Sequence, residues 1–334
     1  MNIVYASDDN FAEIMGISIV SLFENQKHTK DIRIFVLDHG ISNSNKEKIK
    51  DIFKNYNRLY PVFLQSIHID EILNVKVETD RGSSAQYARL FIEKLLPKEV
   101  QRVLYLDCDI IINEKIDDLW NLDMHDKTAA VLMDAFSKYY RKNINLKPDD
   151  LMFNSGVMLI DVKRWKEREV ERRLIEFISS HKGIIQQGDQ GALNHVLCND
   201  TFCFPPKFNS VTIFYDFTYE EMLVYRKPPA FYKKEEVANA VQHPVIIHYT
   251  TSFLSRRPWE YGSKHTYSDV WLNYRKKSPW ANEPLREYKT SRLKKIYITL
   301  YSILPKWVSL RLSALLQVYG RPLLYQYKNK KNGI

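Results

Sequence analysis

Two carboxylates interrupt an oily run, RVLYLDCDIIIN, at residues 102–113. Val103 to Leu106 lead in, and Ile110 to Ile112 lead out. A carboxylate in such surroundings is costly unless something pairs with it. In an extended strand successive side chains alternate, so Asp107 and Asp109 would share a side and Cys108 would point away as packing. Two acids that close raise one another's pKa. A hard divalent cation, Mn²⁺ or Mg²⁺, removes the conflict, because it prefers oxygen ligands and keeps positions open for substrate phosphates. The plain alternative is a pair of solvated acids opening the loop Asn113–Leu119, and Asp-x-Asp alone is a common pattern. The apolar flanks favour the metal. They set the pair at the carboxyl end of a buried strand, where open α/β sheets bind ligands.

Three further stretches carry polar groups suited to such a site. ASDDN, residues 6–10, closes a first strand and opens a helix. Asp8, Asp9 or Asn10 could cap that helix, and the same strand end is a fitting wall for a uridine or ribose. In HYTTSFLSRRPW, residues 248–259, His248 closes the apolar run Val245–Ile247. A histidine there is commonly structural, yet a neutral imidazole completes a Mn²⁺ site begun by two carboxylates. Arg256 or Arg257 would hold a diphosphate through paired N–H donors, or be an ordinary basic turn. In QQGDQGALN, residues 186–194, Asp189 and Gln190 sit where a loop enters a helix. Asp189 either caps that helix or, with Gln190, meets sugar hydroxyls.

Alternating elements would position these groups. Strands are expected at Ile3–Ala6, Ile32–Leu37, Val62–Leu64, Val103–Leu106, Ala129–Met133, Gly156–Ile160 and Val245–His248. Helical spacing runs through Phe11–Glu24, Ser84–Leu96, Arg168–Ser180 and Gln190–Leu197, and a Ser44/Glu47 capping box opens a helix to Lys54. The alternation predicts an α/β domain with helices on both faces of one central sheet. Residues 250–284 read as irregular and aromatic.

Composition narrows the choices. With 10 Gly in 334 residues and neither G-x-G-x-x-G nor G-x-x-x-x-G-K-[ST], the commonest phosphate loops are excluded. The 3 cysteines, without metal-knuckle spacing, suit a reducing compartment. The N-terminus lacks the pattern of a signal peptide, and no apolar run approaches membrane-spanning length. Leu285–Ile334 holds eleven Lys or Arg against one acid, Glu287, so the net charge of +9 resides there and the rest is close to neutral. Those bases interleave with Leu, Ile, Trp and Tyr, the pattern of a helix lying on an anionic membrane surface; nucleic acid is not the expected partner.

The order ASDDN, AQYARL (85–90), LYLDCD (104–109), FNSGVMLIDVKRW (153–165), GDQGALN (188–194) and HYTTSFLSRRPW (248–259) resembles glycosyltransferase family 8. Members include bacterial lipopolysaccharide galactosyl- and glucosyltransferases and glycogenin. The resemblance covers about residues 1–260. It implies a GT-A fold, a UDP-hexose donor and Mn²⁺ (or Mg²⁺) held by Asp107, Asp109 and His248. By position Ala6, Asp8 and Asn10 would meet the uridine and ribose. Arg89 would reach the diphosphate or sugar, and the Asp107-Cys108-Asp109 run as a whole would border the donor. Asp134, Asn154 and Asp189 would line the sugar pocket. Gln190 would face the anomeric carbon, making Gln190 and Asp189 the expected catalytic pair. Two departures stand out. Gly191 replaces a second acid common after that Gln, and the stretch from His248 to Arg257-Pro258-Trp259 is longer than usual.

The expectation is a retaining hexosyltransferase of residues 1–260, a connecting segment 261–284 and a basic, aromatic, membrane-associating tail 285–334. It would move galactose or glucose from a UDP-sugar to a saccharide or lipid-linked acceptor in surface-glycan synthesis, at the cytoplasmic face of the cell membrane. Two alternatives remain open at this point. One is a haloacid-dehalogenase-type phosphotransferase with Asp107 as nucleophile, although that motif normally opens its fold. The other is a non-catalytic protein binding UDP-sugars or membranes.

Overall fold

The computed structural model describes residues 1–331 except 30, 68, 74–76, 78 and 80–83. The last three residues of the expected tail therefore lie outside the described residues. Among the described residues, ten strands form two sheets. Strands β1 (Asn2–Ser7), β2 (Arg33–Asp38), β3 (Val62–Gln65), β4 (Arg102–Leu106), β6 (Ala129–Met133), β7 (Phe153–Asp161) and β8 (Thr201–Cys203) make a seven-stranded sheet in the order β3-β2-β1-β4-β7-β6-β8. Strand β7 runs antiparallel to β4 and β6, and the other neighbours are parallel. Strands β5 (Ile110–Ile112), β9 (Ser210–Val211) and β10 (Ile246–His248) make a second, three-stranded sheet.

The alternation of apolar residues sorts side chains to the two faces of the large sheet. Ile3, Tyr5, Ile34, Val36, Leu104 and Leu106 join one core, while Val4, Phe35, Leu37, Val103 and Tyr105 join the other. The first core holds helices α1 (Ala12–Asn25) and α2 (Asn43–Asn55) and the small sheet. The second lies under α3 (Val170–Ser180) and α4 (Gly188–Leu197). After β3 the chain returns to place β4 on the far side of β1. This reversal of strand order opens a crevice at the carboxyl ends of β1 and β4, where ligands of open α/β sheets bind.

All seven expected strands are present. The differences have local causes. The run through Asp107 and Asp109 is not one strand: the chain turns at Cys108 and Asp109 and continues as β5 in the other sheet. Strands of two or three residues, such as β8 and β9, carry too little pattern to be read. Helix α2 is capped by Ser42, whose hydroxyl accepts from the Asn45 amide at 3.3 Å, so the Ser44/Glu47 box lies inside the helix. Most of Ser84–Leu96 is a 3₁₀ turn, Ala85–Phe91. Residues 250–284 are less irregular than expected. Helix α5 (Ser268–Arg275) buries Trp271, and Trp280 packs where a side chain on Gly16 would lie 2.3 Å from its ring.

The basic end is helical: α6 (Arg292–Ile303), α7 (Lys306–Leu315), a π turn at Leu316–Gly320 and α8 (Arg321–Lys331). It is fastened to the domain. Gln317 donates to the Tyr140 hydroxyl at 2.9 Å, and Gln326 donates to Asn143 at 2.7 Å. Its outer face leaves Leu293, Ile296, Leu300, Ile303 and Trp307 exposed. Among the described residues no helix is long and apolar enough to cross a membrane.

His265 is buried edge-on to Tyr249 and Tyr215, and burial lowers its pKa from 6.5 to about 4. The unfolded chain then binds the extra proton first, so this contribution to stability is present above pH 6.5 and lost as pH falls toward 4. It costs the protein about 2 kcal/mol at pH 5 relative to pH 7.5. Urea unfolding at both pH values should show a smaller difference for His265→Phe than for wild type by about that amount. Equal differences would remove His265 as the cause.

Candidate active site

The crevice at the ends of β1 and β4 opens into a cavity of about 390 Å³. Ala6, Asp8, Asn10, Arg89, Asp107, Cys108 and Asp109 line it, with Tyr105 and Arg286 beside them. Strand pairing explains the convergence. Asp107 follows β4, and its amide donates to the Gly156 carbonyl of β7 at 2.7 Å. The turn hands the chain to β5, which pairs antiparallel with β10 so that His248 lies opposite Ile110, next to Asp109.

One ligand atom each of Asp107, Asp109 and His248 lies within 4.8 Å of the others. His248 Nε2 is 3.2 Å from Asp109 and 3.8 Å from Asp107. Its Nδ1 meets Asn209 Oδ1 at 2.9 Å. An amide oxygen only accepts, so Nδ1 donates to Asn209 and Nε2 is the ring nitrogen turned toward the acids. Two carboxylates and one imidazole nitrogen suit Mn²⁺ or a similar divalent cation. Gly156 makes the approach possible: a side chain there would lie 2.2 Å from His248 Cε1 and 2.8 Å from Asp107 Oδ2.

Arg89 is buried at the centre. Its guanidinium lies 3.2 Å from Asp107, 2.8 Å from Asp189 and 4.6 Å from the centre of the Tyr105 ring, and it donates to the Ser155 carbonyl at 2.7 Å. Burial opposes its charge, but Asp107 and Asp189 outweigh burial and hold its pKa above the usual value. Burial pushes Asp189 up to about 6, with Arg89 opposing and Asp107 adding to the rise. Asp189 is paired with Arg89. It does not cap its helix; that position is Gln187, in the left-handed region at φ 71°.

The remaining expected residues surround this centre. Gln190 accepts through its side-chain oxygen from the Ser155 amide at 3.2 Å. Asn154 accepts from the Gly156 amide at 3.0 Å and from Asn209 at 2.9 Å. Asp134 is half-buried at the end of β6, where burial raises its pKa and Arg226 opposes the rise. Arg257 reaches within 3.4 Å of Asp109, whereas Arg256 stacks on Tyr288, 4.4 Å from the ring centre. Cys108 turns from the acids and donates to the Ala6 carbonyl at 3.2 Å, yet it still borders the cavity. Asp8 caps the turn Asp9–Phe11, and Asp9 bonds Ser42 and Asn45 of the α2 start, each at 2.8 Å.

Three residues have no reading in the sequence. Gly156 sits inside a quoted motif but signals nothing by type. Asn209 is a lone amide in FPPKFNS. Arg286 is hidden among the bases of the tail.

Removing Asn209 should loosen His248, and losing such an outer hydrogen bond typically costs 10–100-fold in metal affinity. Calorimetric Mn²⁺ titration of Asn209→Ala should show about that loss, and Gly156→Ala should lose more because His248 or Asp107 must move. Wild-type affinity in both variants would show that this cradle does not hold the cation.

Comparison with known proteins identifies the family and the fold. The family description "Glycosyl transferase family 8" matches residues 2–262. General stress protein A of Bacillus subtilis (strain 168) is 28% identical over 284 residues, covering 84% of this chain and 94% of its own. A lipopolysaccharide 1,2-glucosyltransferase of Escherichia coli (strain K12) is 26% identical over 293 residues, covering 87% and 82%. Among solved structures, the galactosyltransferase LgtC in complex with donor and acceptor sugar analogs has a TM-score of 0.71 at 21% identity, covering 85% of this chain and 98% of its own. That likeness establishes the GT-A fold. With the family match spanning most of the sequence, this chain belongs to glycosyltransferase family 8 and is a hexosyltransferase.

Proposed function

We propose that the protein is a retaining transferase that moves glucose or galactose from a UDP-sugar to a saccharide or lipid-linked saccharide of the bacterial surface, with Mn²⁺ as its preferred cation. The observation that carries this reading is the Asp107, Asp109 and His248 trio, whose two acids line one cavity together with Ala6, Asp8 and Asn10. A nucleoside and a metal-bound diphosphate fit that lining. Asp107, Asp109 and His248 would hold the cation, and its positive charge would offset the charge that develops on departing UDP.

The chain's own groups do the rest. Arg89 and Arg257 flank the acids from opposite sides and supply donors for phosphate oxygens. Asp189, held by Arg89, would meet sugar hydroxyls, and Asp134 and Asn154 would join it around the sugar. Gln190 faces the anomeric carbon. Its oxygen accepts from the Ser155 amide at 3.2 Å and from the Ser155 hydroxyl at 3.4 Å; rotation of that hydroxyl would free a lone pair for a developing positive charge. An amide is a poor nucleophile, and Asp189 is committed to Arg89. Both facts favour attack by the acceptor on the face from which UDP leaves, with a donor phosphate oxygen taking the acceptor proton. A covalent glycosyl adduct on Gln190 or Asp189 would overturn this route.

The tail supports attachment to an anionic membrane, on the cytoplasmic face where such acceptors sit. Its exposed Leu293, Ile296, Leu300, Ile303 and Trp307 are interleaved with Arg292, Lys294, Lys295 and Lys306. Replacing both Ile303 and Trp307 with Glu should reduce cosedimentation with anionic vesicles about tenfold. Unchanged cosedimentation would exclude this face.

Slow hydrolysis reports the donor without knowledge of the acceptor. UDP-glucose or UDP-galactose should release UDP with Mn²⁺ and not with chelator, and Asp107→Asn should slow release about a hundredfold or more. Release of phosphate from phosphomonoesters instead, or no release from any UDP-sugar, would overturn the assignment.

A further inference from the structure

We infer that Arg286, from the basic C-terminal segment, is a donor-binding residue that selects uracil at the nucleoside end of the cavity. The inference rests on the reading of this cavity as a UDP-sugar site. Arg286 lies beyond the family match, which ends at residue 262, yet its side chain lines the cavity with Asp8, Asn10 and Phe11. Its Nη2 donates to the Asn10 carbonyl at 2.6 Å.

The residue is placed by its backbone. Its amide donates to the Trp259 carbonyl, and its carbonyl accepts from the Tyr261 amide, both at 2.8 Å. These bonds fix the segment against the loop that carries Arg257. Neighbouring side chains turn the other way: Leu285, Glu287 and Tyr288 line a separate groove with Arg256. Arg286 alone of these four enters the donor cavity.

An ion pair explains the side chain poorly. Glu13 is 3.6 Å away and is already bound by Arg275 at 3.0 Å. Arg286 is 38% exposed, and a pair of that kind contributes little to stability. Both its contacts use one terminal nitrogen, Nη2. A guanidinium carries five N–H donors, more than those contacts use, and accepts nothing.

The chemistry of the base follows. The nucleoside end offers a carboxylate, Asp8, and a guanidinium, Arg286. Uracil presents an N–H donor beside a carbonyl acceptor on its pairing edge, matching an acid beside a donor. Cytosine presents the reverse, a ring-nitrogen acceptor beside an amino donor. A guanidinium facing that amino group gains no bond.

The test compares three ligands in Mn²⁺ by calorimetry: UDP, CDP and inorganic pyrophosphate. Wild type should bind UDP well above CDP. Arg286→Ala should weaken UDP about 10–100-fold, the scale of one hydrogen bond to a charged group, and leave CDP and pyrophosphate near wild-type affinity. Arg286→Lys, which keeps a donor, should recover part of the loss. Merely loosening the 8–11 turn would weaken UDP and CDP together, and an effect on the phosphates would weaken pyrophosphate. Either result, or unchanged UDP affinity, overturns the inference. If wild type binds pyrophosphate but neither nucleotide more tightly, the donor reading of the cavity fails instead.

Discussion

Two carboxylates that must lie close together and largely out of water set the terms for this protein. Alone they would repel, and one would take up a proton. The fold surrounds them with compensation: Arg89 on one side, Arg257 on the other and the His248 imidazole between. Each of these is itself held. Arg89 is anchored by Asp189 and the Ser155 carbonyl, and His248 by Asn209, which Asn154 holds in turn. The result is a preorganised cluster that, for the cation proposed above, would lower the cost of ordering ligands on binding.

The architecture supplies this constellation from two sheets. The large sheet delivers Asp107 at the switch in strand order, beside the end of β1. The small sheet carries β5 away from it and brings β10 back, so the turn at Cys108 and Asp109 is the joint between them. The joint between the sheets and the acidic part of the site therefore coincide. That coincidence explains the flanking isoleucines, which fill the core between the sheets rather than extend one strand.

Much of this was legible in the sequence, for physical reasons that differ by residue. Strands β1, β2, β4 and β6 announce themselves because fully buried strands are continuously apolar, and the chemical groups at their ends stand out against that background. His248 stands out likewise at the end of Val245–Ile247. The turn inside Asp107–Asp109 was invisible, because an apolar run on both sides looks the same whether the chain goes straight or changes sheet. Asn209 and Gly156 were invisible because their parts depend on distances set by distant strands. Gln190 was readable as a position but not as a contact: nothing local says that its oxygen is taken by Ser155. Arg286 was misfiled, since composition weighs a charge and cannot tell which way one side chain turns.

The antiparallel pairing of β5 with β10 has a thermodynamic consequence. Asp109 and His248 stand far apart along the chain and meet only when that ladder is closed. On the proposed reading the unfolded chain would offer a cation little, and affinity would belong almost wholly to the native state. Free energy of ion binding then becomes free energy of folding: at a hundred times its dissociation constant, an ion that binds only the folded form adds about 2.7 kcal/mol to global stability. For a domain whose total margin is on the order of 5–15 kcal/mol, the proposed cation would make the divalent-ion pool a determinant of how long the protein survives.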